Sequence, residues 1–159
     1  MTEKKEIWAD PEIIARTELL LDNYKTVVGR SLLDRYGTPL DNSNALFHAP
    51  FVVVSHGTET DPIFNYGNRA ALDLWEMTWV ELTALPSRVT VGEDTISEEE
   101  RGKMLFSVRE KGYIDNYKGV RVSRSGRRFY IEEAIVWNVL DRSGEYRGQA
   151  ATFARWAFL

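Results

Sequence analysis

The sequence contains no cysteine. That absence excludes disulfides, Cys-ligated zinc, iron–sulfur clusters, thiol nucleophiles and any cysteine–chromophore adduct. Histidine is scarce: His48 and His56 are the only two, their spacing matches no helical metal pair, and no third ligand stands out. No stretch approaches the ~18 uninterrupted apolar residues of a membrane-spanning helix. The opening Met-Thr-Glu-Lys-Lys-Glu precedes no apolar signal segment. Positive charge is not in excess either, with 20 Lys+Arg against 24 Asp+Glu and a net charge of -4. Such a chain is poorly suited to non-specific binding of nucleic acid or anionic membranes. G-x-S-x-G, Walker A and H-E-x-x-H motifs are missing, and no coherent acid, base and nucleophile set replaces them. The expectation is a non-enzymatic, cytoplasmic protein that binds neither nucleic acid nor membrane.

What is present describes one globular domain. The chain has 159 residues, of which 43% are hydrophobic and 28% charged, a composition that folds without metal or cross-link. Asp10-Pro11-Glu12 carries a helix-start pattern. Apolar residues recur at helical spacing from Ile14 to Tyr36, so an amphipathic helix is expected over 11–36, with Gly37 and Pro39 ending it. Its apolar face either packs on its own domain or serves self-association or a protein partner. Residues 41–44 read as loop. Phe51-Val52-Val53-Val54 and Ile63-Phe64-Asn65-Tyr66 read as short strands. Asn68 is placed to cap a short helix carrying Ala70, Ala71, Leu74 and Trp75. Thr78 with Glu81, and Ser97 with Glu100, have capping-box spacing, the latter opening a helix that Gly112 ends. From Tyr113 onward the period becomes two, giving strands near 119–123, 127–140 and 146–158, with turns at Ser125-Gly126 and 141–145.

Two strands, short helices and a three-stranded meander imply an α+β fold: a five-stranded antiparallel sheet with short helices on one face. This is the element order of the PAS fold. The segments FNYGNRAALDLWEMTWVELTALPSRVT, GVRVSRSGRRFYIEEAIVWNV and GQAATFARW resemble the MEKHLA family, a branch of PAS-like domains found at the C-terminus of plant homeodomain–leucine-zipper regulators and in short stand-alone bacterial proteins. With neither a homeodomain nor zipper heptads, this chain resembles the stand-alone bacterial type. The resemblance implies a sensory or regulatory domain at 41–159 preceded by a helical extension at 1–40, signalling through protein contacts. It supplies no ligand and no catalytic residue. Haem-binding PAS domains offer a His from the helix that here spans about 98–111, and this helix has none, so haem is not expected. Covalent flavin photochemistry needs the missing Cys, whereas non-covalent flavin remains open.

A turn centred on Ser143 sets opposite one another the residues of the last two strands whose numbers sum to 286. Even positions then share a face of small and polar residues, and odd positions share a bulkier one that suits the N-terminal helix. The even face is expected to line a PAS-type cavity, with Asn138, Thr152, Glu132 and Tyr130 as polar candidates and Tyr66, Asn68 and Trp75 beside them. Each has an alternative as a hydrogen-bonded or packed core residue. Lys118, Arg121, Arg124, Arg127 and Arg128 form a basic run over a hairpin. It is read as a solvated tip partly paired with Glu93, Asp94 or Glu98, with an anion patch as the alternative. The leading expectation is a small organic ligand in the cavity; the alternative is a ligand-free interaction module using the helix and the outer sheet face.

Overall fold

The Asp10 carboxylate accepts a hydrogen bond from the Glu12 amide at 2.8 Å and opens helix α1 (Pro11–Val28). In this computed structural model, which describes residues 6–91 and 98–159, α1 stops at Val28 rather than Tyr36. Gly29 adopts φ 87 and caps the helix, a left-handed geometry that glycine adopts without steric cost. Pro39 likewise acts differently from expectation. It sits in the first turn of a second helix, α2 (Pro39–Phe47), which Thr38 and Asp41 start with a reciprocal capping box. Residues 41–44 are therefore helical, because proline fits a helix start as well as it marks a stop.

The sheet follows: β1 (Val52–His56), β2 (Phe64–Gly67), β3 (Tyr113–Val122), β4 (Arg128–Leu140), β5 (Tyr146–Phe153) and β6 (Arg155–Phe158). Short helices α3 (Arg69–Trp75) and α4 (Trp79–Leu82), a 3-10 turn (Ser87–Thr90) and helix α5 (Glu98–Lys111) lie between β2 and β3. The order across the sheet is β2-β1-β5-β4-β3, all antiparallel, and β6 pairs with the first half of β4. The last strand is thus two strands broken at Ala154. The capping role of Ser97 and the pairings of Glu93 and Asp94 lie outside the described residues, and the side chains of Glu98 and Glu100 are likewise undescribed.

Each face of the sheet has its own core. On the outer face, Leu20, Leu21 and Tyr24 of α1 pack on Val53, Tyr66, Trp137 and Val139. On the inner face, α3 and α4 set Leu72, Trp75 and Leu82 against Val54, Phe129, Ile131 and Phe153. The apolar face of α1 is thereby buried within its own chain. No helix among the described residues is long and apolar enough to cross a membrane.

Candidate ligand cavity

Three bulges decide which residues meet between the sheet and the short helices, one of them in β3, where Ile114 pairs with Val136 but Tyr117 with Ala134 and Asn116 has φ 54. Leu140 faces Tyr146, but Val139 faces Gly148 and Val136 faces Ala151. One extra residue at 147–148 raises the pairing sum from 286 to 287. Beyond that point every β5 side chain lies on the face opposite to the one expected. Gly148 has φ 129, and a Cβ there would stand 1.9 Å from the His56 carbonyl oxygen, so only glycine fits. The third bulge is in β4, where Glu132 and Glu133 are both exposed and Glu133 has φ 52. It moves the inward set from Phe129 and Ile131 to Ala134 and Val136. The expected odd face against α1 holds for Ile135, Trp137 and Val139, and reverses for Phe129 and Ile131.

The inner rows read directly from the register. Val54, Ala151, Val136 and Ile114 are successive partners across four strands. Ala134 faces Tyr117, Ile131 faces Gly119 and Phe129 faces Arg121. Above this floor the Trp75 ring meets Phe129 edge-on at 5.3 Å and Phe153 at 6.2 Å. Between floor and roof lies a cavity of about 620 Å³, bounded by the inner sheet face, Trp75, the 3-10 turn and Met104 and Val108 of α5. That volume falls in the range of small-molecule sites.

Of the seven sequence candidates, only Trp75 lines this cavity. Thr152 is buried on the other face, where its hydroxyl donates to the Val52 carbonyl at 2.8 Å, because the Gly148 bulge turned the strand over. Asn138 ties strands to helix: its amide donates to the Val108 carbonyl at 3.1 Å and accepts from Gln149 at 3.1 Å. Glu132 is exposed opposite Arg155, and Tyr130 faces Val120 and Ala157 away from the inner row. Tyr66 is buried in the outer core, where desolvation pushes its phenol well above the usual range.

The Asn68 side chain is taken up by backbone partners. Its side-chain oxygen accepts from the Val53 and Ala71 amides at 3.0 and 3.2 Å, and its nitrogen donates to the Leu46 and Phe51 carbonyls at 3.1 and 2.8 Å. That makes every part of the Phe64–Asn68 motif legible. Phe64 faces in and Tyr66 faces out. A Cβ on Gly67 would stand 2.3 Å from Leu82, and Asn68 locks α2, β1 and α3 together.

The basic run divides. Arg124 pairs with Glu81. The Arg127 guanidinium lies 3.4 Å from the centre of the Phe158 ring. Arg121 turns inward, donating to the Tyr117 hydroxyl and the Val120 carbonyl, each at 3.0 Å. Sequence reasoning missed Arg121, His56 and Tyr117 as cavity residues. Gly119 was the available signal, since an isolated glycine in a strand marks a close approach. A Cβ on Gly119 would stand 3.2 Å from the Arg121 guanidinium and 3.3 Å from the Tyr117 hydroxyl. Among the described residues no cluster of three His, Asp or Glu can hold a metal.

An antiparallel sheet of order 2-1-5-4-3, with short helices enclosing a cavity over one face, defines a PAS-like module. A PAS domain from Colwellia psychrerythraea superposes with a TM-score of 0.58 at 11% identity, covering 75% of this chain and 94% of that one. The light-state dimer of the fungal blue-light photoreceptor Vivid gives 0.54 at 12% identity over 96% and 98% of the two chains. These likenesses concern the fold. The family model for the MEKHLA domain matches residues 14–158, and the chain belongs to that family. Homeobox-leucine zipper protein ATHB-8 of Arabidopsis thaliana is 28% identical over 95% of this chain, and HOX10 of Oryza sativa is 26% identical over 94%. The chain spans 18% of the length of each of these two proteins.

Proposed function

We propose that this chain is a sensory or regulatory module that binds a small organic molecule between the inner sheet face and α3, the 3-10 turn and α5. The carrying observation is the cavity of about 620 Å³, floored by Ala134, Val136, Ala151 and Val54. A half-open cleft of that size, floored by small apolar side chains, is the kind of concave site that small ligands fill.

Occupancy has a route outward. Trp75 closes α3, and its carbonyl accepts from the Arg124 amide at 3.0 Å. The next residue, Glu76, accepts from the Ser125 amide at 3.2 Å. Hydrogen bonds from Ser123 and Ser125 hold the Glu76 carboxyl below the usual range. A ligand that displaces Trp75 therefore biases the exposed β3–β4 hairpin, a population shift that a partner protein reads. Without cysteine the module signals by binding and not through a thiol adduct.

Native mass spectrometry of protein purified from cells, with Val136→Phe as the filled-cavity control, tests this reading. The expected result is a retained organic adduct in the wild type that is lost in the folded variant. Bare protein mass in both, with no thermal shift across a metabolite library, contradicts it.

A further inference from the structure

We propose that the cavity takes an elongated amphiphile, an apolar chain ending in one anionic group, with the chain on the inner sheet face and the head in a lysine-lined cleft between α5 and β3. The inference rests on the ligand-cavity reading above and specifies its ligand class.

Two hollows meet at one wall. The first is the cavity of about 620 Å³. The second, of about 420 Å³, lies between α5 and the first half of β3. Met104, Ile114, Tyr117 and Lys118 line both. Ile114 is the cross-strand partner of Val136, and Tyr117 is that of Ala134, so the shared wall stands beside the cavity floor. Helical spacing divides α5 in the same way. Met104 and Val108, four residues apart, line the first hollow, and Lys103, Ser107 and Lys111, again four apart, line the second. The β3 bulge falls at the same place: Asn116, with φ 54, lies between Ile114 and Tyr117 of the shared wall. A bulge bends its strand and interrupts the regular ladder, here where the two hollows join.

The chemistry differs on the two sides of that wall. Inward of it, Val54, Val108, Ile131, Ala134, Val136 and Phe153 offer apolar surface. Among the described residues of the outer cleft, three are lysines, Lys103, Lys111 and Lys118, and one, Asp115, is acidic. All three lysines are exposed. A lysine lays its methylene stem along apolar surface and keeps its ammonium in water. An anionic head in this cleft therefore stays hydrated and gains opposite charge, whereas the same head turned inward is desolvated at high cost. That sets the direction of the ligand, chain inward and head outward. The Lys103 ammonium lies 3.7 Å from the exposed Glu99 carboxylate, and an exposed pair of this kind is weak enough for a ligand to displace.

The test compares decanoate with decan-1-ol, a neutral probe of the same chain length, by calorimetry at neutral pH. Wild-type protein is expected to bind the carboxylate at least fivefold more tightly than the alcohol. Added salt should erode that preference, because exposed charges are screened. Replacing the three lysines together, Lys103→Gln, Lys111→Gln and Lys118→Gln, should bring the carboxylate to the affinity of the alcohol and leave the alcohol unchanged. Both probes should move the NMR signals of the Met104 and Ile114 methyls on the shared wall. Wild-type affinity for the carboxylate no greater than for the alcohol overturns the proposal while leaving the ligand cavity intact, and so does a carboxylate preference that survives in the triple variant. Carboxylate binding that leaves both methyls unmoved also overturns it. Binding of neither probe overturns it as well, and the native mass measurement then decides the cavity reading separately. The wild-type comparison needs no variant, so poor folding of a mutant cannot hide the answer.

Discussion

Asn68 makes four hydrogen bonds to the backbones of three elements and their connection while fully buried. Asn68→Ala takes the side-chain partner from the Val53 and Ala71 amides and the Phe51 carbonyl, while the Leu46 carbonyl keeps the Ala49 amide at 3.2 Å; each buried group left unpaired costs on the order of 1–3 kcal/mol. Asn68→Ala should therefore destabilise the domain by about 3 kcal/mol or more. At roughly 2–4 °C per kcal/mol for a domain of this size, calorimetry would show the loss plainly. Asp141 supplies a pH-dependent case. Hydrogen bonds from Ser143 and Arg147, with further bonds from backbone amides, lower its pKa from 3.8 to about 2. A carboxyl whose folded pKa is depressed stabilises the fold fully above its unfolded pKa, and that contribution disappears as pH falls through the folded value. The β4–β5 turn should thus lose support between about pH 4 and pH 2. Thermal midpoints across that window should fall less steeply for Asp141→Asn than for wild type.

The bulges explain which parts of the design were legible at the scale of elements. Strand and helix existence followed from period and caps: Asn68, Thr78 and Glu81 cap where their spacing implied. Sheet face did not follow, because face depends on counting. One extra residue at 147–148 moved Thr152 out of the cavity and Ala151 into it, and the Glu132–Glu133 bulge did the same within β4. Both sites carried a weak signal, a glycine or a pair of like charges inside a strand, that periodicity alone passes over. The α2 helix was missed for a related reason, since Pro39 marks a start and a stop equally well in sequence. Gly148→Ala tests the bulge itself. A Cβ 1.9 Å from the His56 carbonyl at φ 129 must shift β1 or strain the backbone, costing about 3 kcal/mol. Equilibrium denaturation should show that loss, whereas Gly126→Ala, where a Cβ meets nothing within 4 Å at φ 88, should lose only about 1 kcal/mol.

For the whole molecule, the two faces of the sheet divide the work. The outer face is filled by α1, with the Tyr24 ring edge-on to Trp137 at 5.0 Å. Tyr24→Ala should cost about 3–5 kcal/mol, as for other large buried aromatics, with an unchanged mass by light scattering. A loss of self-association at unchanged stability would instead assign the helix to an interface. The inner face keeps a cavity, and the account turns on that cavity being where a ligand goes. The most direct measurement is a methyl carbon–proton NMR comparison of protein as purified from cells with protein refolded after extraction of bound organic molecules. The account predicts shifts concentrated on the methyls of Val54, Ala134, Val136 and Ala151, with Leu20 and Leu21 on the outer face unmoved. Shifts centred on the outer-face methyls, or identical spectra for the two samples, would contradict it.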